Sequence, residues 1–80
     1  MEIGERVGAI LSANENSVQL FGYGIYEGDK IPEKGPLAEA GLANPCILLD
    51  NGKRVYGYEC WWGPEEKVKQ IIGNRRIEIV

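Results

Sequence analysis

Residues 47–66 read ILLDNGKRVYGYECWWGPEE, and the fold turns on this stretch. At its centre Asn51-Gly52 lies between two apolar runs, the strongest short-range signal for a hairpin closed by a two-residue type I′ turn. With Asn51 and Gly52 as the loop, Asp50 faces Lys53, Leu48 faces Val55 and Cys46 faces Gly57. A return strand running on to Trp62 puts Ile47, Leu49, Arg54, Tyr56, Tyr58, Cys60 and Trp62 on one side. Cys46, Leu48, Val55, Gly57, Glu59 and Trp61 fall on the other. Apolar residues on both faces predict a sheet that is curled or covered on each side rather than one with a wet face. Trp61 and Trp62 are adjacent and point in opposite directions, so a one-sided core takes at most one of them.

The stretch ends in a helix start. Gly63 reads as the N-cap and Pro64 as the first helical residue, with Glu65 and Glu66 in the first turn, where the helix dipole favours negative charge. Val68, Ile71 and Ile72 form one narrow apolar stripe, and Gly73 stops the helix. The last segment, Arg76 to Val80, reads as a strand with Ile77 and Ile79 on one face. One indole is expected under the Val68-Ile71-Ile72 stripe, and the other against Tyr26 or the Gly22-Gly24 backbone. Either both are buried, or one stays exposed and builds an aromatic wall with Tyr23, Tyr26 or Tyr58.

Upstream, Arg6 to Leu11 and Val18 to Tyr26 read as strands joined by the polar loop Ser12 to Ser17. Gly22 and Gly24 leave bare backbone on one face of the second strand, which marks a bend or a close approach by a ligand or an indole. Asp29 to Pro45 is a long connector, with Pro36 to Gly41 as one helical turn inside it. Connectors of this length are more often functional or mobile than filler.

This order predicts a single α+β domain over residues 1–80, mainly β: a five-stranded antiparallel small barrel or strongly curled sheet with one short helix before the last strand. It resembles the Src-homology-3-like small barrels. The alternative is an open five-stranded antiparallel sheet with one helix packed on it. A chain of 80 residues, 44% apolar and 26% charged, is an ordinary globular composition with room for one core. The polar start and the lack of an apolar run near the roughly 18 residues of a membrane span predict a cytoplasmic protein with no membrane partner. Cys46 and Cys60, on opposite sides in this register, read as reduced thiols rather than a disulfide.

Charge and chemistry then narrow the function. Net charge is -3, with seven acids and three bases in residues 1–40 and five acids and six bases in residues 41–80. The basic residues of the second half are interleaved with acids, which argues against a nucleic-acid footprint. Without histidine there is no His base, no Ser-His or Cys-His pairing and no His metal ligand. Two separated cysteines do not make a zinc site, and the Gly22 to Gly28 spacing fits neither a dinucleotide nor a P-loop pattern. No enzyme, metal or cofactor is therefore expected. The remaining candidates are aromatic and acidic: Tyr23, Tyr26, Glu27, Tyr58, Glu59, Trp61 and Trp62. Glu59 reads either as a rim carboxylate paired with Arg54, Arg75 or Arg76, or as a carboxylate that recognises a donor on a ligand.

The stretches FGYGIYEGDKIP, ILLDNGKRVYGYECWWGPEE and IIGNRRIEIV resemble a family of short bacterial and phage-type hypothetical proteins sharing FGYG-x-YEGD and ECWWG-x-E blocks. The resemblance covers nearly the whole chain and implies no activity, substrate or partner. The expected function is a non-enzymatic binding or interaction module, with a protein partner or a second copy joined through the aromatic face. The alternative is a protein that sequesters a planar metabolite or nucleotide between Tyr and Trp rings under the 29–45 connector, oriented by Glu27 or Glu59.

Overall fold

The computed structural model describes residues 1–80. Its elements are β1 (Arg6–Ala13), β2 (Ser17–Lys30), α1 (Pro36–Ala40), β3 (Asn44–Leu49), β4 (Arg54–Tyr56), β5 (Trp61–Pro64), α2 (Glu65–Ile72) and β6 (Arg76–Ile79), with a 3-10 turn at Gly57–Glu59. The sheet runs β4-β3-β2-β1-β5, and β6 is added beside β2. The result is a small, mainly β, α+β domain built on an antiparallel sheet with a short helix, as its residue pattern predicts. Two features differ. The hydrogen-bonded path ends at β4 and β5, which do not pair, so the sheet does not close into a barrel and in this respect follows the open-sheet alternative. The strand count is six because the return strand is split into β4 and β5, and the last strand, present as expected from Arg76, runs parallel to β2 rather than antiparallel. The reason is α2: β5, α2 and β6 form a crossover that spans β1 and β2, and a helical crossover returns the chain in its original direction.

β2 is 14 residues long and bends. Ala9 pairs with Gly22 but Ile10 pairs with Leu20, leaving Phe21 as an extra residue, and Gly22 has a φ of 143°. This is the bend predicted at the glycine pair. Gly24 serves a different purpose: a Cβ there would lie 2.0 Å from the Leu48 carbonyl oxygen. The close approach is made by the main chain of β3, not by a ligand or an indole.

The β3–β4 hairpin differs from the type I′ expectation by one residue. Leu48 pairs with Arg54, Ile47 with Val55 and Cys46 with Tyr56. The loop is the three residues Asp50 to Gly52, closed by the Leu49 N–H donating to the Lys53 carbonyl at 2.8 Å, with Gly52 at φ 88°. A one-residue slip moves Val55 to the side of Ile47 and Leu49. Burial decides this register, since Val55 is 7% exposed and joins that core. The return strand also stops early, because the 3-10 turn after Tyr56 resets the alternation that was expected to run through to Trp62.

Two cores lie on the two faces. Val7, Ala9, Ile47, Leu49 and Val55 pack with Phe21, Tyr26, Cys60 and Trp62 on one side. On the other, Ile10, Val18 and Leu20 lie beneath Val68 and Ile72 of α2, with Tyr23 alongside. Each fully buried Val, Leu or Ile contributes roughly 1.5–3 kcal/mol. The helix stripe is narrower than predicted, since Ile71 is 39% exposed. Pro64, not Gly63, is the N-cap, because Gly63 and Pro64 still pair with Gly8 and Val7 in the sheet. Gly73 ends the helix as predicted, and Pro36 and Gly41 bound α1. Arg6 ties the hairpin loop to the start of α2, donating to both carboxylate oxygens of Asp50 at 2.7 and 2.8 Å and to Glu65 at 2.9 Å. Cys46 and Cys60 are free thiols. No helix is long and apolar enough to cross a membrane.

Candidate functional site

β4 and the 3-10 turn form one wall of a cleft of about 350 Å³, and Pro32, Glu33 and Lys34 of the connector form the other. Arg54 and Tyr56, two residues apart on β4, project to the same side, and the turn brings Tyr58 next to Tyr56. Their rings lie 6.4 Å apart with an interplanar angle of 27°, and Tyr58 is 50% exposed. The turn is held at two points. The Tyr58 N–H donates to Asn44 Oδ1 at 2.8 Å, and the Tyr56 N–H donates to Glu59 Oε2 at 2.8 Å. Gly57 permits this close seating, since a Cβ would lie 2.9 Å from Trp62 Nε1 and 3.1 Å from Asn44 Oδ1.

Behind Arg54 lies Glu27, with only 16% of its side chain exposed. Its carboxylate accepts from Arg54 Nε at 2.8 Å and from the Cys46 thiol at 3.6 Å, with Lys30 Nζ at 3.9 Å. The Arg54 hydrogen bond holds the Glu27 carboxyl below the usual range, against the opposing effect of burial. Burial raises the Cys46 thiol, and the Glu27 charge adds to this. Burial also raises the Tyr56 hydroxyl, with Cys46 as a further cause. Cys60 is pushed up to about 11 by burial and then by Glu59. Burial therefore favours the thiol over the thiolate at both cysteines near neutral pH. No group of three or more Cys, Asp or Glu side chains is arranged to hold a metal ion.

The seven residues singled out by sequence separate into distinct places. Tyr58 and Glu59 line the cleft, and Glu27 supports it from behind through Arg54. Glu59 has none of the expected arginine partners. Arg75 donates to the carbonyls of Asn14, Ile71 and Ile72, Arg76 pairs with Glu78, and Arg54 pairs with Glu27. Tyr26 and Trp62 stack on each other at 5.3 Å and 18°, and the Tyr26 hydroxyl donates to Asp29 at 2.8 Å, which raises its pKa. Tyr23 lies beside the α2 core with Lys69 Nζ 5.6 Å from its ring centroid.

Trp61 is 47% exposed, so the two indoles are not both buried. Its neighbours are Ile10, Leu11, Ala13 and Ile71, which line a separate apolar groove of about 240 Å³, rather than the tyrosines of an aromatic wall. It shares the α2 face with its partner Ile10 but flanks the helix instead of lying under Val68 and Ile72.

Tyr56, Asn44 and the Pro32 to Lys34 wall were not among the sequence candidates. The Tyr56-x-Tyr58 repeat was the available signal, but it read as part of a continuous strand. No family model, curated protein or solved structure matches this chain.

Proposed function

We propose that the protein is a non-enzymatic binding module that takes an extended segment of a partner protein in the cleft between Pro32–Lys34 and Tyr56–Glu59. One observation carries the reading: an exposed Tyr58 stacks on a half-buried Tyr56 on one wall of a cleft whose other wall is a connector. Rigid aromatic rings offer contact area at low entropic cost, and grooves lined by them suit extended, proline-rich chains. The strand order β4-β3-β2-β1-β5 with a 3-10 turn between β4 and β5 resembles the Src-homology-3-like barrels, and this fold-level analogy supports the same reading. Glu33 and Lys34 make no ion pair within the chain and Arg54 is engaged through Nε, so charged groups remain to fix a segment's direction. Two free thiols accord with a cytoplasmic setting.

A mostly charged, open lining suits a planar metabolite less well than a peptide, although the volume falls near the lower end of the roughly 300–1,000 Å³ of small-molecule pockets. Selection from a random peptide display library tests the proposal. Enriched peptides are expected to lose binding to Tyr58→Ala and to keep it with Trp61→Ala. Peptides indifferent to Tyr58→Ala, or a nucleotide that binds where no peptide does, would overturn it.

A further inference from the structure

β6 is an edge strand whose outer rim is open. The Arg76 N–H donates to the Asn16 carbonyl and the Val80 N–H to the Leu20 carbonyl, each at 3.0 Å. A parallel ladder repeats every second residue, so residues 76, 78 and 80 turn their main-chain groups toward β2, while Ile77 and Ile79 turn theirs outward. No strand pairs with that side, and the strand has neither a proline nor a bulge to blunt it. Ile77 and Ile79 stand opposite Val18 and Leu20 on the α2 face, yet α2 leaves them 46% and 69% exposed. On the other face Arg76 and Glu78 lie 3.6 Å apart.

We propose that this edge pairs antiparallel with the same edge of a second copy, about a two-fold axis at Ile77. An isologous pair must set outward-facing residues against each other, which leaves three places for the axis. Centred on Glu78, it sets Glu78 directly against Glu78 of the second copy, a destabilising like-charge pair. Centred on Ile79, it sets Glu78 against Val80 and leaves Arg76 without a partner across the interface. Centred on Ile77, it sets Arg76 of each copy against Glu78 of the other and Ile77 against Ile77. Only this arrangement is charge-complementary, and with the existing Arg76–Glu78 pairs its four charges alternate in sign. The interface lies apart from the Tyr56–Tyr58 cleft and is independent of what the cleft binds.

Sedimentation equilibrium tests the proposal. The wild-type chain is expected at twice its 8.9 kDa mass at high micromolar concentration. Ile77→Pro removes an outward N–H and leaves the ladder bonds to β2 intact, so that variant is expected to be a folded monomer. Arg76→Glu and Glu78→Arg, each alone, are expected to lose the dimer, and an equimolar mixture of the two is expected to recover it as a heterodimer. If Ile77→Pro does not fold, the mixture decides. A monomeric wild type, a dimer unchanged by Ile77→Pro, or charge variants that fail to recombine would overturn the proposal.

Discussion

The Nε of Arg54 donates to Glu27 at 2.8 Å, joining β4 to β2 across β3 directly behind the tyrosine pair of the cleft. Arg54 is half exposed and Glu27 largely covered, so the carboxylate is fixed and the guanidinium edge faces the cleft.

This pair gives stability a pH dependence. The folded Glu27 pKa is depressed by Arg54, and the Asp50 pKa is depressed in the same way by Arg6. A depressed carboxyl contributes stability that is fully present above its unfolded value, roughly 4, and is lost as pH falls through the folded value. Urea midpoints measured from neutral pH downward are expected to drop below about pH 4, and Glu27→Gln is expected to flatten part of that drop.

The two indoles should differ sharply. Trp62 stacks on Tyr26 and packs against the Val7-Ile47-Val55 core, so Trp62→Ala is expected to cost about 3–5 kcal/mol. Trp61 is half exposed, and Trp61→Ala is expected to cost about 1 kcal/mol or less. Equilibrium unfolding of both variants checks this, and equal losses would contradict it.

Gly24 should not accept a side chain. Gly24→Ala would drive a Cβ into the Leu48 carbonyl oxygen and should unfold the chain or displace β3. Gly41→Ala has open space around it and faces only the left-handed φ of 69°, so a loss of about 1 kcal/mol is expected. Circular dichroism melts of the two variants compare them.

Thiol chemistry should be slow. Burial raises both cysteines, Cys60 to about 11, so the thiolate fraction near neutral pH is small. Alkylation of the native protein by iodoacetamide is expected to lag well behind that of the urea-unfolded chain. Comparable native and unfolded rates would contradict the burial.

Much of this architecture is legible from residues alone. The helix that ends at Gly73, the turn of α1, the hairpin at Asn51-Gly52 and the bend at Gly22 are all local signals that the fold realises, with the helix start moved from Pro64 to Glu65 and the hairpin loop longer by one residue. What was missed depends on contacts distant in sequence. Asn51-Gly52 marks a turn but not its length, and the burial of Val55 selects the three-residue loop. The 3-10 turn that breaks the return strand is anchored by Asn44, 14 residues upstream of Tyr58. The parallel placement of β6 follows from where α2 crosses the sheet, which no pattern within Arg76 to Val80 encodes. The same gap hid the cleft, because Pro32 to Lys34 meets Tyr58 only once β3 has folded back along β2.

The most direct measurement is an amide chemical-shift titration of the isotopically labelled protein with a peptide selected from the display library. The account predicts perturbations concentrated at Glu33, Lys34, Tyr56, Tyr58 and Glu59, absent in Tyr58→Ala. Perturbations centred instead on Leu11, Trp61 and Ile71 would contradict it and move the binding function to the apolar groove beside α2.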